Sequence, residues 1–277
     1  MVYGILRFIN FAHGDVFMLG AFAGYFLAPA FARFLPEQSY LGAALVLVSA
    51  MAICALIGIL IEFLAYRPLR SRPKLTVLIT AIGVSFFLEY TCQNRHVFGA
   101  ASRKFPELIP DTTWHLGGLV VDLNQVIVFV TTALLLVILT LVVKKTKVGT
   151  AMRALSFNEQ AAALMGINVN SIISFTFGLG SALAGAGGIL FAMNYASIEP
   201  LMGVQTGLKA FVAAVLGGIG NLPGAALGGL ILGLLETFVG GIPGLSNYRD
   251  AIAFAILILI LLFKPAGLLG KAQVEKV

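Results

Sequence analysis

Charged side chains are scarce in this sequence, 11% of 277 residues against 59% hydrophobic ones. A soluble domain carries roughly 25% charged residues, because a water-facing surface needs them. A chain of this length can bury a large core, but this one lacks the polar residues to cover it. That excludes an ordinary soluble globule and leaves lipid as the solvent. Histidine is also scarce: His13, His96 and His115 form no paired motif, which argues against a metal site. The two cysteines, Cys54 and Cys92, lie in or near apolar runs at no zinc or redox spacing and read as free buried thiols. No Gly-x-x-x-x-Gly-Lys-Ser/Thr occurs, so the chain binds no nucleotide through a P-loop. No spacing suggests a Ser-His-Asp or Cys-His arrangement. A cleavable-signal pattern is missing as well. The chain opens inside apolar sequence, at Met1-Val2-Tyr3-Gly4, and the expectation is that part of a helix precedes it.

What the sequence has is long apolar runs. Spanning a bilayer takes about 20 apolar residues, because lipid offers no partner to an unpaired backbone group. Val16 to Ala32, Leu41 to Ile61, Gln125 to Val143 and Ser171 to Ile198 are free of charge. Leu75 to Leu88 continues to Cys92 if Glu89 is tolerated, Ala210 to Leu235 is uncharged but interrupted, and Ala251 to Phe263 is short and very apolar. The reading is roughly seven or eight helical segments in an all-α, polytopic transmembrane bundle.

The charges lie in the gaps. Arg67, Arg70, Arg72 and Lys74 crowd one short loop, Lys144, Lys145, Lys147 and Arg153 a second, and Lys264, Lys271 and Lys276 follow the last run. Basic loops beside membrane helices account for the net charge of +6 without nucleic acid, and the positive-inside rule puts all three on the cytoplasmic side, with the C-terminus. The loop 94–124, with mixed charge and the only tryptophan, Trp114, reads as periplasmic, and so does 195–208. Parity then requires that Ala210 to Leu235 enter the membrane and return. The interruption Gly217-Gly218-Ile219-Gly220-Asn221-Leu222-Pro223-Gly224 cannot comfortably continue a helix. Ile9-Asn10-Phe11-Ala12-His13-Gly14-Asp15 is a similar break, followed by a helix from Val16. Two discontinuous helices, one near each end, suggest inverted internal repeats, against a coincidence of glycine-rich helices.

Ionisable residues inside a membrane are functional candidates by default. Asn10, His13 and Asp15 at the first break, with Gly217, Gly218, Gly220 and Asn221 at the second, are the candidate substrate pathway. Asp15 has a second role open to it, as an acid in the first turn of a helix. Asn10 and His13 either shape the break or touch cargo. Glu62, Glu89 and Glu236 read as interfacial or paired with a neighbour. In the second basic loop, 144–170, Ser156 to Glu159 fits a capping box. A short helix follows through Gln160, Ala161, Ala162 and Leu164, and Gly166 stops it. It is either a plain surface helix or a docking helix for a cytoplasmic subunit.

Ile9-Asn10-Phe11-Ala12-His13-Gly14-Asp15, Ala65-Tyr66-Arg67-Pro68-Leu69-Arg70, Gly166-Ile167-Asn168, Ala213-Ala214-Val215-Leu216-Gly217-Gly218-Ile219-Gly220 and Pro265-Ala266-Gly267-Leu268-Leu269-Gly270 together carry a resemblance. In order and over essentially the whole chain, the sequence resembles the membrane-spanning permease subunits of branched-chain amino acid ABC importers, the LivH-type proteins. The resemblance implies a single permease domain over 1–277 in the bacterial inner membrane. It implies a second homologous permease, two cytoplasmic ATPases that carry ATP and magnesium, and a periplasmic substrate-binding protein. No cofactor is expected on this chain. The family's Glu-Ala-Ala-x-x-x-Gly coupling motif falls on Gln160-Ala161-Ala162 to Gly166, with glutamine in place of glutamate. The family also has a hydrophobic stretch upstream of Tyr3-Gly4, which this sequence lacks.

The expected cargo is a hydrophobic amino acid; urea and short-amide permeases of the same family look very similar. A secondary transporter would share the broken helices but would not need the docking helix. An intramembrane enzyme would need a catalytic pair, and none is evident.

Overall fold

The computed structural model describes residues 10–36, 38–70, 72–116, 119–195, 197–264 and 266–270. The expectations about the chain's start, and about what precedes the first break, concern residues 1–9 and lie outside the described residues. Internal contacts divide the described chain after Gly207, into a larger unit, 10–207, and a smaller one, 208–270.

In the larger unit α1 (His13–Phe31) is followed by α2 (Tyr40–Ile61), whose N-cap Ser39 accepts from the Gly42 amide at 2.9 Å. α2 runs on through a π turn, Glu62–Tyr66, and a 3-10 turn, Arg67–Leu69, where Pro68 removes a backbone donor. Next come α3 (Lys74–Gln93) and three short strands, β1 (Arg103–Lys104), β2 (Thr113–Leu116) and β3 (Leu119–Asp122). Asp122 then caps α4 (Leu123–Lys145), accepting from the Asn124 amide at 3.0 Å. Lys144 and Lys145 close that helix, where the carbonyl end favours cations. α5 (Lys147–Phe157), α6 (Glu159–Leu164), α7 (Val169–Tyr195) and β4 (Ser197–Ile198) complete the order up to α8 (Met202–Gly217). α9 (Leu222–Gly241) and α10 (Arg249–Phe263) follow in the smaller unit.

Among the described residues six helical stretches are long and apolar enough to cross a membrane: His13–Phe31, Tyr40–Leu69, Leu75–Gln93, Leu123–Lys145, Val169–Tyr195 and Leu222–Gly241. α8 and α10 are the shorter segments. This is the polytopic helical bundle expected. The differences are local. α1 begins at His13 rather than Val16, because His13, Gly14 and Asp15 fill its first turn, where polar groups meet unpaired amides. The loop 94–124 is not featureless: β2 and β3 form an antiparallel hairpin, and β1 pairs with β4. The loop 144–170 holds two helices, α5 as well as α6, and α8 starts at Met202, inside the stretch read as an external loop.

The core of the larger unit sits where α1, α2 and α7 cross. Small residues bring the backbones together, as in lipid generally. A side chain at Gly20 would strike the backbone of Gly185, one at Gly188 the Phe17 carbonyl, and one at Gly58 the hydroxyl of Ser181. Around these contacts Met18, Phe22, Ile189 and Ile198 are fully buried. In the smaller unit Gly228 lies against the Ala213 carbonyl, and Val212, Ala213 and Leu232 form a core flanked by Phe254 and Leu257.

Candidate functional site

The first break starts as a turn at Asn10, whose carbonyl accepts from the His13 amide at 3.3 Å; the Phe11 carbonyl takes the Gly14 amide at the same distance. The Asn10 side chain is held from outside the turn, its Oδ1 accepting from Tyr66 Oη at 2.7 Å. His13 is the first residue of α1. Asp15 is buried and accepts a hydrogen bond from Ser85 Oγ, which also lies 3.3 Å from Glu89 Oε1. Ser85 sits at the middle of α3. The Val16 carbonyl receives the Cys54 thiol at 3.7 Å, and Cys54 lies well inside α2. The first turn of α1 therefore lies partway along its neighbours, with Phe11 and His13 exposed beside it. A helix that begins there brings its unpaired amides with it, and the Asp15 carboxyl stands in the same first turn. Gly14 permits this placement: its backbone is pressed against that of Gly203, with no room for a β-carbon on either residue.

The second break lies in the smaller unit. α8 stops at Gly217, and Gly218 and Gly220 adopt φ of +109° and +89°, which favour glycine. Asn221 caps α9, its Oδ1 accepting from the Gly224 amide at 3.2 Å, and Pro223 sits in the first turn, where its missing N–H costs nothing. The last carbonyls of α8 are met by the segment after α10. Leu268 N–H donates to Leu216 O at 2.8 Å, Leu269 N–H to Gly217 O at 3.0 Å, and Asn221 Nδ2 to Leu269 O at 2.8 Å. Asn221 thus ties the start of α9 to the segment after α10. Lys209 joins the three helices of this unit, at 3.2 Å from Glu236 and 2.7 Å from Asp250.

The structure brings Asn10, His13 and Asp15 together in one place and Gly217, Gly218, Gly220 and Asn221 in another. The four residues of the second break shape backbone.

The 144–170 loop departs from the expected capping box. Ser156 stays inside α5, its hydroxyl bonded back to the Arg153 carbonyl at 2.7 Å. The residue that leaves helical geometry is Asn158, and its Oδ1 accepts from the Ala161 amide at 3.0 Å, so Asn158 caps α6. Glu159 and Gln160 open α6 and are exposed, as is Ala161, whereas Ala162 is buried. Gly166 ends the helix as expected. With φ of +83° it lets its own amide reach Ala163 O at 3.0 Å and the Ile167 amide reach Ala162 O at 3.1 Å, the paired bonds of a Schellman close. Held between these caps, Leu164 is 89% exposed, and Phe157 and Met165 are nearly as open.

Beside this loop lies a group that was not legible in the sequence as a unit. Glu62, in the π turn, is completely buried. It is ion-paired to Arg70 and accepts from Ser174 Oγ at 2.6 Å, and Arg70 Nη1 donates to Asn170 Oδ1 at 2.9 Å. The clamp ties the end of α2 to the start of α7, a few residues past Gly166. A lone glutamate in an apolar run requires a partner; the basic loop after α2 supplies one, but Ser174 and Asn170 arrive only through folding. Ser85 was likewise missed, since a serine in an apolar helix has no signal of its own. Glu62 and Glu236 do pair with neighbours, and Glu89 lies beside a hydroxyl.

The family described as "Branched-chain amino acid transport system / permease component" matches residues 1–261. The high-affinity branched-chain amino acid transport system permease protein BraD of Pseudomonas aeruginosa is 41% identical over 283 residues, covering 100% of this chain and 91% of that protein. The corresponding LivH of Escherichia coli is 38% identical over 282 residues, covering 100% and 90%. The ribose import permease RbsC of Escherichia coli is 36% identical over 121 residues, 42% of this chain and 37% of that protein. No solved structure matches. With its whole length matched and a multi-pass helical architecture in place, this chain belongs to the family of permease components of branched-chain amino acid transport systems.

Proposed function

We propose that the chain is the membrane-spanning permease subunit of an ABC importer that carries branched-chain amino acids across the bacterial inner membrane. The observation that carries this reading is similarity along the entire chain to BraD and LivH, both named for high-affinity branched-chain amino acid transport. In this reading the chain is not an enzyme. It pairs with a second homologous permease, two cytoplasmic ATPases that bind ATP and magnesium, and a periplasmic binding protein that delivers cargo. The three basic regions and the C-terminus face the cytoplasm.

α6 is the coupling helix. Its exposed Leu164 and Met165, with Phe157 at the preceding turn, enter a groove on an ATPase, and Ala161 keeps the approach close. Ser156 and Glu159 flank the turn that sets its angle; Gln160, Ala162 and Gly166 complete it. A displacement of α6 passes to α7 across Gly166 and from α7 to α2 through the Glu62–Arg70 clamp. Asn10, His13 and Asp15 at the start of α1, and separately the Gly217–Asn221 break in the smaller unit, are the candidates for contact with cargo. Helix termini at such breaks offer fixed partial charges to a zwitterionic cargo without a resident ion.

The test is uptake of radiolabelled leucine by cells from which this chain has been deleted and then restored. Restoration of leucine uptake, with urea uptake unchanged throughout, is the expected outcome. Restoration of urea uptake alone would assign the chain to the urea and short-amide permeases instead.

A further inference from the structure

α4 is held poorly by its flank. Of its 23 residues only Leu139 is buried, and Phe129, Val130, Leu134 and Val137 are all more than half exposed. A helix of this length measures about 35 Å, against a hydrocarbon layer of about 30 Å, so each end reaches the headgroup layer. At one end stand Lys144 and Lys145. At the other stands the β2–β3 hairpin, fastened to the helix start: Leu123 N–H donates to Thr112 O at 2.9 Å, and Asn124 Nδ2 to Asp111 Oδ1 at 3.3 Å.

The hairpin pairs Trp114 with Val121 and His115 with Val120. Directly opposed residues share a face, so Trp114 and Val121 stand together on one side of the ribbon. Trp114 is 45% exposed, a large apolar ring left open on a two-stranded ribbon. Its partner Val121 lies two residues before the first residue of α4. Two residues of strand span about 7 Å, and each headgroup layer is about 5–8 Å thick. The indole is therefore carried at the depth where tryptophan, apolar in body and polar at its N–H, is most at home.

We propose that the Trp114 hairpin is a lipid-contact surface that lies in the headgroup layer and fixes the depth of α4. The occupant is lipid because the hairpin is fastened to the start of an exposed membrane-spanning helix, at its polar rim. α4 is then held by its two ends, Trp114 at one and Lys144 and Lys145 at the other.

The sequence holds one tryptophan, so the fluorescence of the full chain reports this site alone. In proteoliposomes, the expected emission is shifted to the blue of a water-exposed indole. Lipids brominated near the headgroup should quench it more than lipids brominated near the chain ends, and aqueous iodide should quench it little. Strong iodide quenching without bromolipid quenching would overturn the proposal by placing the ring in water. A blue-shifted signal that no bromolipid quenches would overturn it by placing a protein over the hairpin. The anchoring role has its own readout, the rate at which a membrane-impermeant maleimide labels Gln125→Cys. That rate should change several-fold when Trp114→Ala is added and stay at its starting value with Trp114→Tyr. Equal rates in all three backgrounds would show that the hairpin touches lipid without setting the depth of α4.

Discussion

Arg70→Ala should lower the stability of the solubilised protein by about 3–5 kcal/mol, the cost of leaving a buried charge without its partner. Glu62 is completely buried, and the Arg70 side chain is only 18% exposed, so water cannot replace the lost guanidinium. The Ser174 hydroxyl remains as one donor at 2.6 Å, which is too little for a carboxylate. The measurement is the unfolding midpoint in a detergent titration, run as a double-mutant cycle with Glu62→Gln. In the Glu62→Gln background no buried anion is left, and the same Arg70→Ala step should cost only about 1–2 kcal/mol, the loss of a hydrogen bond from the guanidinium to an uncharged amide. An equal cost in both backgrounds would mean that Arg70 acts through packing of its stem or through Asn170, and that the pair is not the clamp described.

The second large effect belongs to α6. Leu164→Asp should abolish most transport while leaving the fold intact. At 89% exposure Leu164 contributes almost nothing within the chain, and substitutions at such positions stay within about 0.5 kcal/mol. If its side chain is an anchor in a partner's groove, replacing it with a desolvated charge costs about 2 kcal/mol or more of docking energy, roughly 30-fold in the docking constant. Transport should fall accordingly, with the unfolding midpoint unchanged and the ATPases still hydrolysing ATP. Wild-type transport in Leu164→Asp would remove α6 from the coupling route. Arg70→Ala and Leu164→Asp thus separate cleanly, because one loses stability at a buried site and the other loses function at an exposed one.

The division between what the sequence disclosed and what it concealed has a physical pattern. The spans were legible because lipid leaves a chain no freedom: a charge-free run of sufficient length must become a helix. The second break was legible for the related reason that Gly218 and Gly220 take backbone angles closed to other residues. Gly166 could be read as a helix stop on the same ground. The start of α1 was misplaced by three residues, because His13-Gly14-Asp15 has the composition of a breaker and serves as a first turn. The capping box failed on a competition between two hydroxyl and amide side chains. Ser156 bonded back to Arg153, and Asn158, two residues later, had the geometry to cap. The Asp15–Ser85–Glu89 contact joins α1 to a neighbour 70 residues away, and the Glu62–Ser174 contact spans 112. No local pattern announces such pairs; the second exists because Gly58, Gly178 and Gly185 let α2 and α7 close on one another. The hairpin at Trp114 was hidden for a different reason. Its strands are short, and mixed charge around them reads as loop.

The proposed function requires that transport be driven by ATP on partner chains and not by an ion gradient across this one. The direct measurement is leucine accumulation by proteoliposomes holding the permease with its ATPases and binding protein, in the presence of ionophores that collapse every ion gradient. Accumulation that requires ATP on the ATPase side and proceeds at full rate under the ionophores is the predicted result. Accumulation that disappears with the ion gradients and ignores ATP would contradict it.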